Sequence, residues 1–188
     1  FKDMLTADEI KEIVSYITTP AKPPEWGISE MLSTLRLRSF VGQDRKTPYD
    51  MADFFMVVEA GAGRVHFMEG GDFKVLDSIR AGAIHGGPKF DKDLRYAYIA
   101  SRDGWVIKYD LRNLLEAGRI RAGVSLRNIA VSSDSRYLAV ATLLPESLVF
   151  IDTLTMRHVK AVTAKGAFGS VYNLKGRKEF IAAMRDKA

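Results

Sequence analysis

Cysteine is absent from the 188-residue chain. That excludes a disulfide, a thiolate zinc site, an iron–sulfur cluster, a covalently attached C-x-x-C-H haem and a cysteine nucleophile. Long apolar runs are missing as well, and nothing approaches the ~18 consecutive apolar residues of a membrane-spanning helix. No run of five or six like charges occurs, although 28 Lys+Arg against 23 Asp+Glu leave a net charge of +5, so a polyanion-binding tail is not expected. A basic stripe interleaved with stacking aromatics, the footprint of a nucleic-acid surface, is not visible. Ser-His-Asp order, P-loop and HExxH are absent, and Gly61-Ala62-Gly63 and Gly70-Gly71 read as turn glycines of hairpins. No initiator Met or signal-peptide pattern precedes Phe1-Lys2-Asp3-Met4, which points to a mature chain or a piece of a longer one.

What is present, 47% hydrophobic and 27% charged residues, is the composition of a folded soluble protein. Leu5-Thr6-Ala7-Asp8-Glu9 is a helix start, with Thr6 as cap, Glu9 completing a capping box, and two carboxylates at the positive helix end. Ile10, Ile13, Val14 and Ile17 then fall at i, i+3, i+4, i+7 and make one apolar face. Pro20, Pro23 and Pro24 stop that helix. A second short helix is predicted over Ile28 to Leu35, and residues 40–49 read as an irregular crossing segment.

From about Phe54 the period becomes strand-like and repeats. Asp93-Leu94-Arg95-Tyr96 precedes Ala97-Tyr98-Ile99-Ala100, and about 41 residues later Asp134-Ser135-Arg136-Tyr137 precedes Leu138-Ala139-Val140-Ala141. Each is followed by a strand ending in Asp, Trp105 to Asp110 and then Leu148 to Asp152, and by a third, outer strand, Arg119 to Ala122 and then Val159 to Thr163. Phe55 to Arg80 fits the same template, and Gly176 to Ala183 begins another copy. A period near 40 with three or four short strands per unit is the signature of propeller blades. A sandwich of hairpins would not keep strand order and turn residues in register. The strand-rich region holds a little over three units, whereas propellers close with at least four, and an unclosed one leaves an unpaired edge. The expectation is therefore an all-β partial propeller of about three to four blades, in a segment of a longer protein or a chain that pairs with another to finish the ring.

Three histidines are present. His66, in Arg64-Val65-His66-Phe67-Met68, reads as a packed or edge-exposed strand residue, and His158 as a turn or outer-strand residue. His85 lies in Ala83-Ile84-His85-Gly86-Gly87-Pro88-Lys89-Phe90, where one blade crosses to the next and the chain faces the central funnel. Its two following glycines let a flat ligand approach the backbone, which makes His85 a candidate metal or haem ligand. Lys89, Arg102 and Arg127 recur near inner-strand ends. Each alone reads as a surface or turn cation, and together with His85 they could surround a flat polyanion.

His85-Gly86-Gly87-Pro88-Lys89-Phe90, Arg95-Tyr96, Ser101-Arg102-Asp103-Gly104-Trp105 and Lys108-Tyr109-Asp110-Leu111 resemble the haem d1 propeller family. Pro23-Pro24-Glu25-Trp26-Gly27-Ile28-Ser29-Glu30-Met31 resembles that family's linker from a cytochrome c domain, and Thr6 to Ile17 the last helix of that domain. The resemblance thus implies residues 1–19 as a cytochrome c-type helix, 20–50 as linker, and 51–188 as part of an eight-bladed haem d1-type propeller. It implies haem d1 or dihydro-haem d1 as cofactor, with haem c in a region upstream of this chain. His85 matches the family's proximal iron ligand, and Lys89, Arg102 and Arg127 match basic positions facing the macrocycle's carboxylates. The Gly-rich forms are most similar to the family branch that oxidises dihydro-haem d1 to haem d1. The alternatives are the nitrite-reducing branch and a haem d1-binding or assembly propeller without turnover. No residue of the chain is identified as the catalytic base. An electron-transfer partner and a periplasmic location follow from the same resemblance, and a homodimer stays open. The family often carries an aromatic in the loop that reads Thr142-Leu143-Leu144-Pro145-Glu146 here.

Overall fold

The capping box expected at the start of the chain closes in the computed structural model, which describes residues 4–19, 24–38, 50–163 and 166–185. Helix α1 (Ala7–Thr18) starts with the Glu9 N–H on Thr6 Oγ1 at 3.3 Å and the Thr6 N–H on Glu9 Oε2 at 2.7 Å. Its apolar stripe is not covered by any described residue: none of its residues is buried, and Ile17 is 72% exposed. Helix α2 (Ile28–Thr34) ends one residue short of the expected Leu35, and its Met31 is buried in the propeller core. The proline stop at Pro20 and Pro23 and the crossing segment 40–49 lie outside the described residues.

Behind the helices come β1 (Arg36–Leu37) and then four antiparallel units. The first is β2 (Phe54–Glu59), β3 (Arg64–Glu69) and β4 (Val75–Arg80). The second is β5 (Lys89–Phe90), β6 (Tyr96–Ala100), β7 (Trp105–Asp110) and β8 (Leu115–Arg121), to whose outer edge β1 adds a fifth strand. The third is β9 (Ser125–Val131), β10 (Tyr137–Leu144), β11 (Glu146–Asp152) and β12 (His158–Val162). The last is the pair β13 (Phe168–Asn173) and β14 (Phe180–Met184). This is the partial propeller expected from the repeat. The outer strand expected over Arg119 to Ala122 begins earlier, at Leu115, because Leu115 pairs with Asp110 across the hairpin, while the Ala122 N–H turns to the Gly104 carbonyl.

The repeat was visible because its register is kept. Tyr96 opens β6 opposite Asp110 of β7, and Tyr137 opens β10 opposite Asp152 of β11. Strand residues alternate faces, so consecutive residues of one blade serve two different interfaces. Tyr109 reaches back to the first blade, stacking on Phe67 at 3.7 Å and 8° and donating its hydroxyl to Asp77 at 2.5 Å. Lys108 reaches forward, donating to the Thr153 carbonyl of the third blade at 2.8 Å and lying 4.0 Å over the Tyr96 ring. Three apolar cores fill the spaces between successive blades, and the core between the second and third also receives Met31, Trp26 and Leu35. The turns before β6 and β10 carry Leu94 (φ 50°) and Ser135 (φ 62°) where the equivalent turn before β14 has Gly176 (φ 76°).

Candidate functional site

His85 sits in the crossing from β4 to β5, as the spacing suggested. Three backbone hydrogen bonds bring the expected site residues side by side from three parts of the chain. The His85 N–H donates to the Ala100 carbonyl (3.2 Å), the Arg102 N–H to the Ala83 carbonyl (2.8 Å), and the Leu126 N–H to the Arg102 carbonyl (3.2 Å). The crossing is thereby tied to the β6–β7 turn, and that turn to the start of β9, where Arg127 follows Leu126. Arg127 Nη1 lies 2.9 Å from His85 Nε2. His85 and Arg127 are half-buried and Arg102 is exposed.

The electrostatics follow from this clustering. Burial holds the His85 imidazole below its ordinary protonation range, and the Arg102 and Arg127 charges lower it further. Both effects favour the neutral imidazole, the form that ligates a metal. Side chains added at Gly86 or Gly87 would meet no heavy atom within 4 Å, and Gly86 has φ +72°. Open space therefore borders the backbone of Gly86 and Gly87, which follow His85 in the chain.

This donor set discriminates between kinds of ligand. No group of three or more His, Asp or Glu among the described residues is placed to hold a bare metal ion, and two guanidinium charges beside the single imidazole would repel one. An iron whose equatorial positions are filled by a macrocycle needs one axial protein ligand. Carboxylates on the macrocycle's rim would be matched by guanidinium forks. The residues present fit a carboxylated iron tetrapyrrole.

Lys89 lies in β5, opposite Tyr98, and lines a hollow of about 410 Å³ with Lys92, Ser132, Ser133 and Lys175. That hollow gathers residues from the turns at the other end of the inner strands. His66 is a cross-strand residue, with Nδ1 2.7 Å from Ser78 Oγ and Nε2 3.0 Å from Glu59 Oε2. His158 opens β12 and lines an apolar cavity of about 280 Å³ with Trp26, Met31 and Val149, where burial lowers its protonation range. Thr142 to Glu146 forms the tight β10–β11 hairpin, closed by the Leu143–Glu146 pair.

The contacts that sequence reasoning missed are the inter-blade ones, Tyr109 to Asp77 and Lys108 to Thr153. An amphiphilic pair of consecutive residues inside an otherwise apolar strand, Lys108-Tyr109, was the available signal. The Trp26–His158 cavity had none, since its walls come from the second helix region and from β11 and β12.

Known proteins resemble the chain both in sequence and in fold. Residues 49–188 match the protein family described as the cytochrome D1 heme domain. The chain is 35% identical over 191 residues to a dihydro-heme d1 dehydrogenase of Pseudomonas aeruginosa, covering 93% of this chain and 38% of that protein. It is 27% identical over 177 residues to a nitrite reductase of Stutzerimonas stutzeri, covering 88% of this chain and 31% of that protein. The chain thus spans about a third of the length of these curated relatives. Among solved structures, the dihydro-heme d1 dehydrogenase NirN in complex with DHE superimposes with a TM-score of 0.85 at 31% identity, over 99% of this chain and 42% of that one. The β-propeller domain of Cps50 (Swd1) from Myceliophteria thermophila gives a TM-score of 0.60 at 13% identity, over 72% of this chain and 46% of that one. At that identity the likeness is one of fold alone.

Proposed function

The chain belongs to the cytochrome D1 heme domain family, and from that premise we propose that it supplies the proximal side of a haem d1 site in an oxidoreductase that converts dihydro-haem d1 to haem d1. The observation that carries this reading is the meeting of one neutral imidazole, His85, with two guanidinium groups, Arg102 and Arg127, beside open glycine backbone. The similarity to a dihydro-heme d1 dehydrogenase across 93% of this chain favours that branch over nitrite reduction.

In this reading His85 Nε2 would ligate the iron, and Arg102 and Arg127 would hold carboxylates of the macrocycle. Lys89, on the inner strand β5 that follows the crossing, is read as a further cation for those carboxylates. The substrate's propionate side chain would lose two protons and two electrons and become an acrylate, and a haem c domain upstream would supply the acceptor for those electrons. The tetrapyrrole supplies the electron chemistry, and the chain supplies position and charge. His85 fixes the ring's centre, the arginines fix its rim, and together they set which side chain faces the rest of the active site. Residues 1–19 are read as the last helix of a cytochrome c-like domain and 20–50 as the linker, a reading supported by the uncovered apolar stripe of α1. A periplasmic location goes with it.

The test is turnover in the full-length protein. Dihydro-haem d1 added with an electron acceptor is expected to develop the absorbance of haem d1. Tight binding without that change would assign the protein instead to carriage or assembly of the cofactor.

A further inference from the structure

We propose that Arg127 is a placeholder for the iron: in the cofactor-free protein its guanidinium occupies the coordination position of His85 and holds the ring in the ligating tautomer, and it leaves that position when the tetrapyrrole is loaded. This rests on the reading of His85 as the axial ligand.

The contact itself fixes the proton. Arginine has five N–H donors and no acceptor, and it stays charged at any physiological pH. A guanidinium Nη1 at 2.9 Å from His85 Nε2 therefore donates, and Nε2 presents its lone pair. The imidazole proton is on Nδ1. That is the tautomer required for an Nε2–metal bond, so Arg127 prepares the ligand as well as covering it.

The same lone pair cannot serve twice. An imidazole nitrogen has one in-plane lone pair, and it either accepts the Arg127 hydrogen bond or binds iron. The roles of His85 as ligand and Arg127 as carboxylate partner are thus joined in an exchange. Arg127 gives up His85, and a rim carboxylate offers the vacated guanidinium a stronger, bidentate acceptor. Arg102, exposed where Arg127 is half-buried, is the group that meets the incoming carboxylates first. The Leu126 N–H on the Arg102 carbonyl keeps the backbone of both arginines in place during the exchange, so only the Arg127 side chain has to move. The guanidinium also repels a bare divalent cation from the imidazole, which reserves the site for a metal that brings its own anionic rim.

Rapid mixing of haem d1 with the full-length, cofactor-free protein tests this. The wild type is expected to show a fast docking phase that scales with haem d1 concentration. A slower, concentration-independent phase should follow, in which the histidine-ligated spectrum grows. Arg127→Met removes the hydrogen bond and should accelerate the slower phase about tenfold, the size expected for losing one charged hydrogen bond, while equilibrium affinity falls. Arg127→Gln, which still reaches and donates weakly, should lie between the two and serves if the Met variant does not fold. Independently of any cofactor, nitrogen-15 spectra of labelled histidine should show His85 fixed with its proton on Nδ1 in the wild type, and a mixture of tautomers in Arg127→Met. An unchanged or slower second phase in variants that still reach the histidine-ligated spectrum would overturn the placeholder and leave the reading of His85 intact. An unchanged tautomer would do the same. If His85→Ala instead leaves the bound spectrum unaltered, the reading itself has failed, and the placeholder with it.

Discussion

Tyr109 and Phe67 face each other across the first inter-blade space with ring centroids 3.7 Å apart and planes within 8°. The Tyr109 hydroxyl donates to Asp77 Oδ2 at 2.5 Å, so one side chain anchors the second blade to two strands of the first. Burial and the neighbouring Asp77 carboxylate both raise the phenol far above its ordinary range, which favours the protonated, donating form. Tyr109→Phe keeps the stack and removes the hydrogen bond to a charged acceptor. The full-length protein should lose about 2 kcal/mol, readable as a lower melting temperature. No loss would mean that Asp77 finds water as easily as it finds Tyr109.

The turns that open β6 and β10 offer a contrast. Leu94 and Ser135 both hold positive φ, a conformation costing a side-chain-bearing residue about 1 kcal/mol or more. Leu94 is 48% exposed, so Leu94→Gly should relieve that strain and stabilise by about 0.5 kcal/mol, after the added freedom of glycine in the unfolded chain. Ser135→Gly should gain nothing, because Ser135 Oγ accepts the Lys92 N–H at 2.7 Å. Chemical denaturation of the two variants should separate them, and an equal gain in both would remove any role for that hydrogen bond.

How much of this was legible from sequence depended on distance along the chain. The capping box of α1 and the Tyr–Asp register of β6–β7 and β10–β11 are local patterns, and they appeared where expected. The two-residue strand β1 was not legible, since its partner β8 is remote and nothing in Arg36-Leu37 marks a strand. At the site, the residue types and the inter-blade position of His85 could be read. Its contact with Arg127, 42 residues away, could not be, because it depends on how the crossing, the β6–β7 turn and β9 are tied together.

Acid sensitivity should follow two of the three histidines. Burial lowers the protonation range of both His85 and His158. The unfolded chain then takes up protons, starting near the ordinary histidine pKa of about 6.5, at a pH where the folded protein does not. Their contribution to stability is complete above that value and is lost as pH falls below it toward the lowered folded-state values. His158→Gln should reduce the slope of stability against pH below about 6.5 by up to one proton's worth. Melting temperatures across that range, wild type against variant, measure it. A parallel pair of curves would show that His158 titrates alike in both states.

The central claim is that His85 binds the iron of haem d1 while Arg102 and Arg127 hold its carboxylates, and electron paramagnetic resonance of haem d1 bound to the full-length His85→Ala variant tests it most directly. The account predicts that haem d1 still binds, more weakly, and that the signal of the histidine-ligated iron is gone, whereas His66→Ala leaves both unchanged. An unaltered ligand field in the His85 variant would contradict it.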